Sequence, residues 1–211
     1  MEKLQYLLIW MVPFLFSLSV HECAHAWVAN RNGDSTARLL GRMTINPTAH
    51  IDPFGTLLFP IMSFFTGFAF IGWAKPVPVN ERNLRQPLRD GMFVAIAGPG
   101  SNFALALVFA GLIFLLGLLK LNIDFMRPIQ MMLLIGVKLN ILLGMFNLLP
   151  FPPLDGGRVL YGLVPALREP LDQISRYGFL VLILLLYSGI LDMLLFRPAN
   201  QMSQALIQMV T

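Results

Sequence analysis

Long apolar runs with almost no charge constrain this chain more than any other feature. The first run, residues 4–28, holds one charged side chain, Glu22, and at roughly 1.5 Å per helical residue it can cross about 30 Å of hydrocarbon. Further runs of spanning length are residues 91–119, 129–149 and 177–196. Of the 211 residues, 56% are hydrophobic and 12% charged, about half the charged share of a soluble domain. These runs predict a membrane protein and exclude a soluble enzyme, a disordered chain and a nucleic-acid-binding domain.

The basic residues are scattered between the apolar runs and form no patch. They give a net charge of +4, but single basic residues in short connections are typical of membrane-protein loops, not of a nucleic-acid-binding surface. The lone Cys23 excludes an internal disulfide. We expect contact with the lipid bilayer and no nucleic-acid partner, and the oligomeric state stays open.

Residues 54–74 have spanning length, but glycines and prolines interrupt them, so they suit a re-entrant element as well as a full span. With Lys138 inside an apolar run set aside, Lys and Arg divide eight to six across the membrane if residues 54–74 span it. If these residues re-enter, the division is ten to four, a positive-inside pattern. We therefore favour the re-entrant topology. The ten basic residues on one face are then Arg31, Arg38, Arg42, Lys75, Arg82, Arg85, Arg89, Arg158, Arg168 and Arg176.

The predicted fold is an all-α polytopic membrane protein with about four full transmembrane helices plus this re-entrant or fifth hydrophobic segment. Residues 1–211 are expected to form a single domain with no separate soluble domain. The chain crosses the cell membrane several times, with its N-terminus outside and residues 30–90 cytoplasmic. Short extended strands are expected at residues 37–44 and 73–80, and an interfacial helix at residues 198–211.

Residues 21–25, HECAH, form an H-E-x-x-H frame inside the first apolar run. On a helix His21 and His25 lie one turn apart on one face, so both imidazoles can bind one ion, and Glu22 can reach a water on it. Zinc in hydrolases takes three protein ligands and lowers the pKa of a bound water to about 7. An ionisable side chain at the centre of a membrane helix costs about 2.5–3.5 kcal/mol, so chance placement is a poor explanation. The frame predicts one zinc ion, with Glu22 as general base.

Asp155 is the candidate third ligand. It follows three prolines and precedes Gly156 and Gly157, so it lies at a helix break. Taken alone, this pattern fits a cap of the following helix equally well. Beside a frame that needs an oxygen ligand on the same membrane face, it favours a zinc ligand.

Two segments, HECAH at residues 21–25 and FNLLPFPPLDGG at residues 146–157, resemble the site-2 protease family of intramembrane zinc metalloproteases, peptidase family M50. The segments GWAKPVPVN at residues 72–80 and AGPGSN at residues 97–102 are similar to further elements of that family. The likeness extends from the first apolar run to Arg158, and no catalytic position departs from the family pattern.

The resemblance implies three zinc ligands, a catalytic base and a residue that steadies the substrate carbonyl or oxyanion: His21, His25, Asp155, Glu22 and Asn147. Asn140 lies seven residues before Asn147 on the same helix face. Two alternatives stay open for Asn140, a contribution to that site or a bridge between helices.

The resemblance also implies a transmembrane protein or peptide as substrate, unwound and paired with residues 73–80, because a helix hides its peptide bonds. The active site would then lie inside the hydrocarbon layer, towards the cytoplasmic side. Because the zinc ligands must meet, residues 4–28 and 129–149 have to end on one face, as they do in the re-entrant topology.

Two polar residues are left with open roles. For His50 a hydrogen bond that orders its loop is favoured over metal binding. For Lys138, in the middle of an apolar run, snorkelling or a carboxylate partner is favoured over substrate gating.

The leading hypothesis is an endopeptidase that hydrolyses peptide bonds within or near transmembrane segments. The alternative is a membrane transporter or metal-permeation protein that uses the His/Asp site. Glu22 separates the two, because a transit site needs no general base beside its ligands. A catalytically inactive scaffold is disfavoured, since every catalytic position is filled.

Overall fold

The computed structural model describes residues 3–67, 72–119 and 126–211, and the regular secondary structure of these residues is helical, with no β-strand. The all-α prediction is confirmed. The α-helices are α1 (Lys3–Arg31), α2 (Thr36–Leu39), α3 (Phe59–Thr66), α4 (Pro87–Leu119), α5 (Met126–Asn147), α6 (Asp155–Leu163), α7 (Arg168–Ser175), α8 (Gly178–Tyr187) and α9 (Arg197–Gln208). Short 3₁₀ or π segments are Pro47–Ala49, Pro53–Leu58, Glu81–Asn83, Pro165–Leu167 and Asp192–Phe196.

Three of these helices, α1, α4 and α5, are long and apolar enough to cross a membrane. They correspond to the predicted runs 4–28, 91–119 and 129–149. In hydrocarbon a backbone must satisfy its own hydrogen bonds, so long apolar runs form continuous helices. Large apolar side chains such as Leu107, Phe114 and Leu118 are at least half exposed on α4, as expected of a helix that faces lipid.

The segment before residue 74 forms a hairpin. Its helical part, Pro53–Thr66, is about 21 Å long and too short to cross the hydrocarbon. Beyond residues 68–71, which lie outside the described part, the chain returns to the start of the hairpin. There the Trp73 N–H donates to the Gly55 carbonyl at 3.1 Å, and the Thr56 hydroxyl donates to the Trp73 carbonyl at 2.8 Å. The two described ends of the segment therefore lie close together, an arrangement that is compatible with the favoured topology.

The two predicted strands do not form in the structure. Residues 37–44 fold into the end of α2 and a turn in which Gly41 has a φ of +67°. Residues 73–80 lack strand pairing, because Pro76 and Pro78 have no N–H and other backbone groups bind elsewhere. The Lys75 N–H, for example, donates to the carbonyl of His50 at 2.9 Å.

The last predicted span, residues 177–196, is interrupted. Helix α8 has 10 residues, about 15 Å, and ends before Gly189, whose φ is +77°. By length and composition, the described chain offers a fourth candidate crossing if the helical segments Pro165–Ser175 and Leu180–Tyr187, bent by 85°, form one broken span. The tail forms helix α9, and its Ala199 joins the core that α4 and α5 form.

Helices α1, α4 and α5 make the core that positions the site. Between α4 and α5 the approach is close, since a Cβ on Gly136 would lie 2.6 Å from the Phe109 ring. On α1, Phe14 and Leu18 pack against Leu139 and other apolar side chains of α5. This packing brings the C-terminal half of α1, the N-terminal half of α4 and the end of α5 together.

Candidate active site

Two histidines and one aspartate converge where these parts of the three helices meet. The Nε2 atoms of His21 and His25 are 2.9 Å apart, and they lie 3.2 and 3.3 Å from Oδ2 of Asp155. A tetrahedral zinc ion with bonds of about 2.0–2.1 Å separates its ligand atoms by about 3.3 Å. The separations in the structure are close to that value, so the cluster has the dimensions of a zinc site.

The orientation of the two imidazole rings also fits a cation. The Nδ1–H of His21 donates to Oδ1 of Asn102 at 2.6 Å, and the Nδ1–H of His25 donates to the Val94 carbonyl at 2.7 Å. Each Nε2 therefore presents a lone pair to the other and to the carboxylate. Oδ2 of Asp155 is buried and has no hydrogen-bond partner among the described residues. Three facing electron-pair donors are unfavourable unless a cation lies between them.

The break between α5 and α6 positions Asp155. Leu154, not Asp155, occupies the N-cap position of α6, so the capping alternative is not adopted. The chain doubles back so tightly that a Cβ on Gly156 would lie 2.3 Å from the Leu149 carbonyl oxygen, and one on Gly157 would lie 2.7 Å from the nitrogen of Pro152. The two glycines allow this close approach, which carries the carboxylate to the histidines.

Helix α4 contacts the candidate metal-ligand cluster, which consists of His21, His25 and Asp155, through a glycine. A Cβ on Gly98 would lie 2.3 Å from Nε2 of His25 and 2.6 Å from Cε1 of His21. A larger residue would occupy the space between the two imidazole rings. Gly98 therefore leaves room for an ion beside His21 and His25.

Glu22 is buried beside the cluster, and its carboxylate is held by the segment at residues 73–80. The Val77 N–H donates to Oε2 of Glu22 at 2.7 Å. The segment is itself anchored, because Nη2 of Arg42 donates to the Lys75 carbonyl at 2.7 Å. The loop therefore positions the candidate base.

A cavity of about 180 Å³ opens beside these groups, and Glu22, Val77, Asn147 and Arg158 line it together with the three candidate ligands. Asn147 is half-buried, and its Nδ2 donates to the Leu143 carbonyl at 3.0 Å. This bond uses one N–H of the amide, so the other remains to meet a ligand in the cavity.

Three other polar residues named from the sequence lie away from the cavity. Asn140 is fully buried and bonds Ser17 of α1 and Asn102 of α4, which is the helix-bridging alternative. Nε2 of His50 donates to the Thr44 carbonyl at 2.8 Å and so orders its loop. Lys138 is exposed on α5.

The sequence reasoning missed four contributors: Val77, Val94, Gly98 and Asn102. Asn102 carried a usable signal, because a polar amide within a long apolar run usually makes an interhelical hydrogen bond. The roles of Val77 and Val94 rest on backbone groups, which residue type does not reveal. Gly98 lies in the AGPGSN segment at residues 97–102, in which the sequence gives it no role of its own.

Comparison with known proteins agrees with the geometry. The family model described as "Peptidase family M50" matches residues 9–130 and 118–188. The Bacillus subtilis (strain 168) protein named "Putative zinc metalloprotease YwhC" is 38% identical over 208 residues, which cover 95% of this chain and 92% of that protein. A protein of the same description, Rip2 of Mycolicibacterium smegmatis (strain ATCC 700084 / mc(2)155), is 31% identical over 190 residues, covering 87% of this chain and 68% of its own length. No solved structure matches the chain at a significant level.

The family match spans most of the chain and includes both halves of the metal-ligand cluster. The apolar helices α1, α4 and α5 place the protein in a membrane. This chain belongs to peptidase family M50, the site-2 protease family, and is a membrane zinc metalloprotease.

Proposed function

We propose that this protease hydrolyses peptide bonds within or near the transmembrane segments of other membrane proteins. The observation that carries the proposal is the depth of the site. His21 lies ten residues, about 15 Å, before the end of α1 at Arg31. The metal-ligand cluster therefore lies within an apolar helix bundle, where a membrane-embedded substrate can reach it.

The proposed setting is the cell membrane, crossed several times, with the active site towards the cytoplasm. Two features support it. The hairpin before residue 74 returns to the level of its start, and that topology gathers ten basic residues on the face where the site lies.

The proposed zinc ligands are His21, His25 and Asp155, which together hold one ion. Zinc bound there supplies Lewis acidity, which polarises the scissile carbonyl and makes water nucleophilic at neutral pH. Glu22 accepts the proton of the attacking water as the new C–O bond forms. It then gives this proton to the amide nitrogen as the C–N bond breaks. The Val77 N–H stays on Oε2, so Oε1 is the oxygen available for proton transfer.

Asn147 and the segment at residues 73–80 are proposed to position the substrate. The free N–H of the Asn147 amide can donate to the developing oxyanion. Pro76, Val77 and Val79 line the same cavity, so an unwound stretch of substrate can lie along them. Unwinding is required because a transmembrane helix buries its peptide bonds in its own hydrogen bonds.

The transport alternative gains no support from the described residues. A metal-transit site has no use for a carboxylate held beside the ligands, whereas Glu22 is fixed there by a backbone hydrogen bond.

The proposal is tested with Glu22→Gln and Asp155→Ala. Glu22→Gln keeps the shape and an acceptor for Val77, so we expect normal zinc content and no cleavage. Asp155→Ala removes a candidate zinc ligand, so this variant should lose both its zinc and its cleavage activity. Zinc is measured on the purified protein by atomic absorption, and cleavage by comparing membrane proteomes of expressing cells for truncated transmembrane fragments.

The matched control is Asp192→Asn, which removes an exposed carboxylate that pairs with Arg197 at 2.7 Å, outside the cavity. It should retain zinc and activity. If Glu22→Gln yielded the same fragments as the unaltered protein, Glu22 would not be the base and the proposal would fail.

A further inference from the structure

A chain of buried hydrogen bonds lies behind His21 and links three helices. Asn102 on α4 accepts the His21 Nδ1–H at 2.6 Å, and its own Nδ2 donates to Oδ1 of Asn140 on α5 at 2.9 Å. Nδ2 of Asn140 donates to Oγ of Ser17 on α1 and to the Gly136 carbonyl, each at 2.8 Å. All three polar side chains behind His21 are fully buried.

The direction of each bond in this chain is determined. A side-chain amide has a donor end and an acceptor end, so it can satisfy its neighbours in one sense only. The Ser17 hydroxyl gives its proton to the Pro13 carbonyl at 2.6 Å, so its oxygen accepts from Asn140. Both N–H groups of Asn140 are thereby used, and its oxygen must face Asn102. If the amide of Asn102 or Asn140 were rotated by 180°, two acceptor oxygens would face each other in a buried site. This arrangement would cost about 1–3 kcal/mol.

This fixed direction reaches the metal-ligand cluster. Because Nδ2 of Asn102 is committed to Asn140, Oδ1 of Asn102 faces His21 and can only accept. His21 must then carry its proton on Nδ1, which leaves the Nε2 lone pair for a metal. His25 reaches the same state through the backbone carbonyl of Val94, which needs no particular side chain.

We propose that Asn102 is a positioning residue that sets the tautomer and ring orientation of His21 for zinc binding, and that Asn140 holds Asn102 in the required sense. The inference rests on the zinc site of the proposed function and adds two residues to it. Partners of this kind change metal affinity by about 10–100-fold when they are removed.

The test measures the affinity of the purified full-length protein for Zn²⁺ in detergent, by competition with a chelating indicator. Asn102→Leu keeps the branching and the number of side-chain heavy atoms but removes the acceptor, and its affinity should fall about 10–100-fold. Asn102→Asp keeps an acceptor oxygen, so its affinity should stay close to that of the unaltered protein. The matched control is Ser101→Ala, because among the residues that the structure describes the Ser101 hydroxyl bonds only the Gly98 carbonyl of its own helix.

The pair of variants separates positioning from structural support. Both Asn102→Leu and Asn102→Asp break the donor bond to Asn140, so a purely structural role predicts equal changes in zinc affinity. Equal changes, or unchanged affinity in folded Asn102→Leu, would overturn the inference. Thermal unfolding shows whether each variant is folded, and Asn102→Ala replaces Asn102→Leu if the latter does not fold.

The unaltered protein and His21→Ala show which proposal fails. If His21→Ala binds zinc as tightly as the unaltered protein, the proposed zinc site is wrong and the inference falls with it. If His21→Ala loses zinc while Asn102→Leu keeps it, only the positioning role of Asn102 is refuted.

Discussion

At the scale of single residues, the site depends on the space left by residues without a side chain as much as on its polar groups. Gly98 and Gly100 are two residues apart in one helix and one sequence motif, yet they differ in what a side chain would meet. A Cβ on Gly98 would strike the His25 ring, whereas one on Gly100 has open space around it. The sequence alone treats the two glycines alike.

We predict that Gly98→Ala weakens zinc binding and proteolysis by about 10–100-fold, because overpacking a buried position costs about 1–3 kcal/mol. The matched control, Gly100→Ala, should leave both unchanged. Zinc affinity and fragment production in membranes check the two variants. Equal behaviour of both would contradict the close approach of α4 to the rings.

At the scale of elements, an irregular segment decides where the candidate base Glu22 lies. The segment at residues 73–80 forms no strand, but its backbone fixes Glu22. The end of this segment is tied down by Asp34, which is fully buried and accepts from the Asn80 N–H at 2.7 Å and from Nδ2 of Asn83 at 3.0 Å.

Val77→Pro tests the role of the segment. Proline removes the N–H that holds Glu22, so we predict about a tenfold or larger fall in proteolysis with unchanged zinc content, as expected when a general base is displaced. Val77→Ala keeps the N–H and should retain most activity. The measurement is the turnover number of each variant on one reporter substrate, beside its zinc content; a loss of zinc in Val77→Pro would show a wider disturbance instead.

Asp34 gives the fold a specific pH dependence. Burial alone would raise the pKa of this carboxyl, but hydrogen bonds from Thr36, Asn83 and Asn80 outweigh burial and hold the pKa below its usual value of 3.8. The ionised form is therefore stabilised in the folded state. This stability is present above the unfolded pKa and is lost as the pH falls through the lower folded pKa.

We predict that Asp34→Asn lowers the free energy of unfolding by about 1–3 kcal/mol at neutral pH. The difference from the unaltered protein should shrink as the pH is lowered below about 4, since the carboxyl then gains a proton in the unfolded chain before it does so in the folded protein. Thermal unfolding of both proteins in detergent across pH 3 to 7 measures this difference in stability. A difference that stayed constant over this range would refute the role of the charge.

At the scale of the whole molecule, the topology decides whether the ligands can meet. His21 and Asp155 lie on separate chain segments, and they converge because α1 and α5 end on one side of the bundle. The hydrogen bond between Thr56 and Trp73 brings the two ends of the hairpin before residue 74 together, which is compatible with this arrangement.

Cysteine labelling checks the orientation. In a Cys23→Ser background, Arg85→Cys should react with a membrane-impermeant maleimide only after cells are opened, because residues 30–90 are proposed to be cytoplasmic. Asn122→Cys, at a position outside the described residues, should react on intact cells. The reverse pattern would invert the proposed orientation.

The sequence by itself determined the lipid environment, the three long helices and the candidate metal ligands. These features are local: a run of apolar residues must be helical in hydrocarbon, and histidines at positions i and i+4 share a helix face. Asp155 could be inferred only because the histidine frame required an oxygen ligand.

The tertiary structure alone decided the rest. It interrupted the last predicted span and replaced the expected strands by the end of α2 with a turn and by an anchored loop. It also brought Asn102 to His21 and Val77 to Glu22, across 81 and 55 residues of chain. Such contacts depend on how helices pack and on backbone groups that every residue carries. No local pattern of side chains encodes them, so they become visible only once the three helices are in place.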